Sequence, residues 1–363
     1  MTTITFIEAS GRKVEATVTG ETTLMELAVA HDAEGVLADC GGACVCATCH
    51  CQLDASYSDT LGGPGPIEAM MLNELLNVSE QSRLAFETAS GLTLAADMGG
   101  PEAGQPVILL HGGGQTRHSW SNAALELVAA GYRVISPDLR GHGGSQWCPR
   151  GGYALDDYIT DLGFIMGSLS SAPVLVGASL GGAVSLIGQG EQRLPRARAL
   201  VLVDVVPRME TAGVQEVIEF MSANPDGFVS IDAAADAVAQ YLPHRPRRSS
   251  SDGLLKNLRQ RSDGRYYWHW DPAVHNSAGS PDSIEVMARR MEEAARLIDI
   301  PTLVVRGGQS RVVSPEGVAH LAELIPHAGY VDVTAAGHMV AGDQNDEFNA
   351  IIREFLASLC GSA

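Results

Sequence analysis

Residues 174–182 read Val-Leu-Val-Gly-Ala-Ser-Leu-Gly-Gly. A short apolar run of strand character ends in Gly177-Ala178-Ser179-Leu180-Gly181, and a helix-prone stretch follows. A G-x-S-x-G placed between a strand and a helix carries the chain through a sharp turn with the serine at its apex. Bulky side chains beside that serine would clash with the closing turn. The serine's Oγ is left exposed, and the first N–H groups of the helix stand ready to meet a developing negative charge. Ser179 is therefore a candidate nucleophile. The motif is short, and a glycine-rich turn with a spectator serine would read the same way. Its weight comes from the segments around it.

From Val107 the chain alternates strand, loop and helix. Val107–Leu110 is a buried-strand run leading into His111-Gly112-Gly113-Gly114. Ser121–Ala130 has helical periodicity and is closed by Gly131. Tyr132–Ser136 is the next strand and runs into Pro137-Asp138-Leu139-Arg140-Gly141-His142-Gly143. Leu155–Leu169 reads as a helix, and the Ser179 turn comes next. Such alternation predicts an α/β fold: a mainly parallel sheet with helices on both faces. Just upstream, Phe86–Met98 alternates around Ser90-Gly91 as a hairpin. No flexible linker precedes it, so a domain boundary is expected near Ala85.

These segments resemble the α/β-hydrolase superfamily over about residues 86–363. The resemblance rests on HGGG at His111, PDLRGHG at Pro137, GASLG at Gly177 and AGH at Ala336, in the family's order. It implies a serine hydrolase working through a Ser-His-Asp triad. Ser179 would be the nucleophile and His338, after the strand-like Tyr330–Val333, the base. The backbone N–H groups of Gly113 and Leu180 would form the oxyanion hole, with Gly114 as a further candidate donor. A glycine-rich turn without that role is the alternative for HGGG. PDLRGHG reads as architectural, and His142 is given no chemistry.

The triad acid departs from the family pattern. After the strand Pro301–Arg306 the superfamily usually runs G-x-x-D-x-x-x-P, and this chain has Gly308-Gln309-Ser310-Arg311-Val312-Val313-Ser314-Pro315. Arginine has no acceptor for an imidazole N–H. Asp204 closes the strand Ala199–Val203, a place where some superfamily members carry their acid, and it is the expected replacement. Asp343 is the second candidate. A pairing of Arg311 with Asp204 would tie up the acid.

Between Val206 and Ile300 the rhythm breaks into helical segments (Val214–Met221, Asp232–Tyr241), a basic loop Pro243–Arg248 and the aromatic Tyr266–Trp270. An insertion here, about 206–300, would be a cap over the nucleophile that shapes an apolar pocket. Met209, Phe220, Met221, Trp268 and His269 are candidate lining residues, and each reads equally well as cap packing. Glu347–Leu359 is the expected final helix.

The first 85 residues differ in composition. They hold 12 acidic and three basic residues, a net charge of −9. Thr2–Ala9 and Lys13–Val18 read as a hairpin, and Thr22–His31 as a helix. Cys40, Cys44, Cys46, Cys49 and Cys51 crowd into twelve residues, a spacing suited to metal rather than to a disulfide framework. Zinc would need a second paired ligand group, and none follows. Cys40-x5-Cys46-x2-Cys49-His50 resembles an adrenodoxin-type [2Fe-2S] ferredoxin, a small β-grasp α+β domain. The resemblance implies a cluster on Cys40, Cys46 and Cys49 and a redox partner. Phe86 stands where that family has its fourth cysteine, and the closing strand is replaced by the hydrolase-like part. A truncated segment without a cluster is the other reading, with Cys44 or Cys51 as substitute ligands in the first.

Over the whole chain 43 acidic residues face 24 basic ones, for a net charge of −19. That excludes a nucleic-acid or anionic-membrane surface as the expected partner. No apolar stretch nears the roughly 20 residues of a membrane span. The first residues show no charged-then-apolar leader, and a cytoplasmic location is expected. The expected activity is cleavage of carboxylic esters of small apolar or aromatic substrates through an acyl-enzyme, with no cofactor needed for hydrolysis. The alternatives are carbon–carbon bond hydrolysis of aromatic ring-cleavage products, and an iron–sulfur electron carrier on a degraded hydrolase scaffold.

Overall fold

Strongly apolar five-residue runs form the middle of one large sheet. They are buried on both faces, as parallel strands covered by helices must be. The structure is a computed structural model. It describes residues 3–7, 12–17, 83–88, 91–149, 151–242, 252–274, 281–334, 336–338, 340 and 345–359. The chain divides into two compact units, Met1–Ser82 and Arg83–Ala363.

In the first unit the described residues form an antiparallel hairpin, β1 (Thr3–Ile7) with β2 (Lys13–Thr17), in which Thr5 faces Glu15. The cysteine-bearing stretch, residues 38–51, and the expected helix at 22–31 lie outside the described residues.

The second unit opens with β3 (Arg83–Glu87) and β4 (Thr93–Gly99), an antiparallel pair with Phe86 opposite Leu94. There follow β5 (Pro106–Leu110), α1 (Ser121–Ala129), β6 (Arg133–Pro137), α2 (Leu155–Gly167), β7 (Val174–Ala178), α3 (Leu180–Gly190) and β8 (Ala199–Val203). Then come α4 (Thr211–Ser222), α5 (Ile231–Tyr241), the short hairpin β9 (Leu258–Gln260) with β10 (Tyr266–Trp268), and α6 (Pro281–Ala295). The chain closes with β11 (Thr302–Gly307), α7 (Pro315–Leu324), β12 (Gly329–Val333) and α8 (Asn345–Ser358).

The eight-stranded sheet has the order β12-β11-β8-β7-β5-β6-β4-β3, with β4 antiparallel to its neighbours and the other pairings parallel. Alternate residues of the strands feed two cores. Ile108, Leu110, Leu175, Leu200 and Leu202 enter one with α2, α3 and α6. Val107, Leu109, Val176, Val201 and Val203 enter the other with α1 and α8. Each fully buried branched side chain stabilises the fold by about 1.5–3 kcal/mol.

Two features differ from the sequence expectation. The sheet begins at Arg83, and Phe86 of that first strand packs against the core. The helix Pro281–Ala295 lies inside the span expected as cap, yet it belongs to the main body. Met291, Ala294 and Ala295 are buried in the core, and a side chain at Gly190 of α3 would strike the Ala294 backbone at 2.3 Å. The segments α4, α5 and β9–β10 share their own apolar cluster of Met221, Phe228, Ala234, Leu258, Trp268 and Trp270.

Candidate active site

The parallel strands end along one edge of the sheet, where βα loops meet and where ligands of open α/β sheets bind. Ser179 stands there, one residue past β7, at φ 46° and ψ −113°. That is the strained turn the sequence implied, and the packing explains both glycines. A Cβ on Gly177 would meet the Gly181 carbonyl at 2.5 Å, and one on Gly181 would meet the Leu110 oxygen at 2.5 Å. Ser179 is half-buried, and its N–H donates to the Val203 oxygen at 3.1 Å. The Ser179 turn is thus bonded to the last residue of the adjacent strand β8.

Asp204 follows Val203 directly. It too has a positive φ, 49°, and it is fully buried. Among the described residues four non-glycine residues have positive φ, and Ser179 and Asp204 are two of them. Taking a carboxylate out of water costs several kcal/mol unless hydrogen bonds replace the solvent. Here they do. The Gly307 N–H donates to Oδ1 at 2.9 Å. The Ser310 hydroxyl donates to Oδ2 at 2.6 Å, and His338 Nδ1 lies 2.6 Å from the same oxygen. With Nδ1–H donating to Asp204, Nε2 of His338 is left as the proton acceptor, the tautomer a base toward serine needs.

Arg311 does not reach Asp204. Its guanidinium pairs with Glu216 of α4 and is 75% exposed. The local packing accounts for this. Gly213 of the same helix lies against the Arg311 carbonyl, and the Glu210 N–H donates to the Val312 oxygen at 2.8 Å. The loop backbone is therefore clamped to the start of α4, with Glu216 in reach of the arginine.

On the other side of Ser179 lies the glycine loop. A Cβ on Gly112 would stand 3.2 Å from the Ser179 Cβ, so the loop passes close beside Ser179. The Gly112 N–H donates to Gln115 Oε1 at 3.1 Å. The Gly114 N–H donates to His142 Nε2 at 3.2 Å and is no longer free for an oxyanion. Among the described residues no bond engages the Gly113 N–H. Leu180 is the first residue of α3, where no preceding turn accepts its N–H.

His142, given no chemistry from the sequence, and His269, expected as a lining residue, both support the loop together with His111. The His111 Nδ1–H donates to the Gly112 oxygen at 2.8 Å, and its Nε2 accepts the Leu139 N–H at 2.9 Å. His142 Nδ1 lies 3.0 Å from the Arg140 oxygen. His269 accepts the Gly143 N–H on Nδ1 at 2.7 Å. Burial lowers the pKa of His111, and lowers that of His269 well below the ordinary value, with the rings of His142 and His111 adding to the second effect. The rest of PDLRGHG is architectural: Arg140 holds Asp161 through two bonds of 2.6 Å, and Asp138 accepts the N–H groups of Arg117 and Gly144 at 2.7 Å.

Of the expected pocket residues, Met221 is placed most tellingly. Its Sδ and Cε lie within 3.7–3.8 Å of where a Cβ on Gly113 would be. Phe220 stacks on Tyr241, and Trp268 on Trp270, in the apolar cluster behind it. Met209 packs against the main core. Asp343, Cys40, Cys46 and Cys49 lie outside the described residues. Phe86, at the fourth ligand position of the ferredoxin pattern, is committed to β3 and the core. The chain therefore does not meet that family's four-cysteine set there. No helix among the described residues is long and apolar enough to cross a membrane.

The chain belongs to the alpha/beta hydrolase fold family, whose model matches residues 105–343. Over 260 residues it is 30% identical to the esterase Rv0045c of Mycobacterium tuberculosis, a match spanning 69% of this chain and 82% of that one. Over 255 residues it is 28% identical to a 3-hydroxybutyrate-oligomer hydrolase of Cupriavidus necator, spanning 67% of this chain and 85% of that one. The crystal structure of the mycobacterial esterase matches with a TM-score of 0.59 at 26% identity, covering 82% of this chain and 99% of that one. The protein is an enzyme, a hydrolase of the α/β fold, and its relatives support ester cleavage.

Proposed function

We propose that the chain is a carboxylesterase in which Ser179, His338 and Asp204 form the catalytic triad and the N–H groups of Gly113 and Leu180 the oxyanion hole. The observation that carries this reading is the 2.6 Å contact between His338 Nδ1 and the buried Asp204 carboxylate, at the end of the strand bonded to Ser179.

In the first step Ser179 Oγ attacks the ester carbonyl carbon while His338 Nε2 takes its proton. The carbonyl oxygen becomes an oxyanion facing the Gly113 and Leu180 N–H groups, each worth about 10²–10³ in rate at such sites. His338 returns the proton to the departing alkoxide, and the alcohol leaves an acyl-Ser179. Water then attacks the acyl carbon, with His338 as base again, and the carboxylic acid is released. Asp204 stays ionised throughout and stabilises the imidazolium. Only water is consumed.

Small apolar acyl groups suit the site. Met221 stands against Gly113 and Gly114, and the cluster of Phe228, Trp268 and Trp270 lies behind it. The test is turnover of a short-chain aryl ester beside a vinylogous 1,5-diketone. Ester turnover that Ser179→Ala abolishes supports the proposal. Turnover of the diketone alone would move the assignment to carbon–carbon hydrolysis.

A further inference from the structure

The loop that carries Arg311 in the acid's usual place also carries Ser310. The Ser310 Oγ accepts the N–H groups of both Val312 and Val313 at 3.1 Å. A hydroxyl has two lone pairs and one proton. With both lone pairs engaged, only the proton is left to direct, and Asp204 Oδ2 stands 2.6 Å away. That length is typical of an O–H bonded to a carboxylate. His338 Nδ1 meets the same oxygen, while Gly307 holds Oδ1. All three partners donate, from the end of β11, the loop after it and the loop after β12, so the carboxyl group is fixed in rotation as well as position.

We infer that Ser310 is a positioning residue of this site: its locked hydroxyl holds Asp204 Oδ2 toward His338, doing from the β11 loop what that loop no longer does with a carboxylate. The inference rests on the triad proposed above. Asp204 reaches the site from a positive-φ position at a strand end, and its buried carboxylate is oriented by the hydrogen bonds it accepts. Without the hydroxyl, Oδ2 would retain His338 alone, and the pair would sample orientations in which Nε2 points away from Ser179.

The experiment compares wild type with Ser310→Ala, Ser310→Thr and Asp204→Asn. The readouts are kcat and KM on a short-chain aryl ester, thermal unfolding, and the downfield proton resonance of the His338 Nδ1–H. Ser310→Ala is expected to lower kcat about tenfold with KM within about twofold, and to move or broaden that resonance. Ser310→Thr, which keeps the hydroxyl, should return most of the rate. If the alanine variant fails to fold, Ser310→Cys keeps the volume with a weaker donor and should show the same split. A kcat that falls only with the folded fraction, with the resonance unmoved, overturns the inference and leaves Ser310 a turn residue. Full activity in Asp204→Asn overturns the triad itself. An inactive Asp204→Asn beside a Ser310→Ala with wild-type kcat and resonance sinks the Ser310 inference alone.

Discussion

The two sides of Ser179 are held by opposite hydrogen-bonding logic. On the glycine-loop side, neutral buried histidines accept backbone N–H groups: His111 from Leu139, His142 from Gly114 and His269 from Gly143. On the acid side, donors from Gly307, Ser310 and His338 converge on one buried carboxylate. Both arrangements replace water around groups that must not move, but they fail differently. Histidine acceptors are lost when they gain a proton. The carboxylate is lost when a donor is removed.

This contrast can be broken in graded ways. Ser179→Ala, which removes what both sides serve, should lower kcat about 10⁶-fold, as loss of a serine nucleophile does elsewhere, measured on the same aryl ester. Gly114→Ala attacks the glycine-loop side alone. Gly114 has φ +69° and a Cβ there would come within 3.0 Å of the Met221 thioether, so the loop must shift. A displacement of about 1 Å can cost roughly a hundredfold in kcat, with KM for a small ester changed far less. An unchanged rate would mean the glycine loop is not poised on the reacting oxygen.

Acid tests the same side through stability. For His111 and His269 the folded pKa lies below the unfolded value, so the unfolded chain binds protons first. Stability is whole above the ordinary histidine value of about 6.5 and falls as pH drops toward the lowered folded values, by up to about 1.4 kcal/mol per pH unit for each histidine. Denaturant midpoints from pH 7.5 to 5 should show this decline, and His269→Gln should flatten it. The smallest effect is expected from Arg311→Gln. Arg311 is 75% exposed and its pair with Glu216 contributes little, so kcat/KM should stay within about twofold. A large loss would show that Arg311 acts on the site.

Much of this was legible in the sequence. HGGG, GASLG and AGH each sit where a motif of their kind should, because glycine and strand patterning report local backbone needs. The strand Ala199–Val203 was placed to the residue, since its short apolar run is rich in β-branched valine and bounded by charged residues. The acid was harder. Only its place at the end of a strand marks Asp204, and the proposed role rests on the register that pairs Val203 with both Ala178 and Val305. The support from His142 and Ser310 was not legible at all. Both act through contacts between segments 28 and 106 residues apart in the chain. The helix Pro281–Ala295 falls inside the span expected as cap, and only its burial against α3 places it with the main body.

The measurement that bears most directly on the account is kcat/KM of Asp204→Asn on a short-chain aryl ester, with folding checked by thermal unfolding. Asparagine keeps the shape but presents an N–H or a neutral oxygen to His338, so a loss of about 10⁴-fold is predicted with the melting temperature little changed. A folded Asp204→Asn that turns over the ester at the wild-type rate would contradict the account and place the acid elsewhere in the chain.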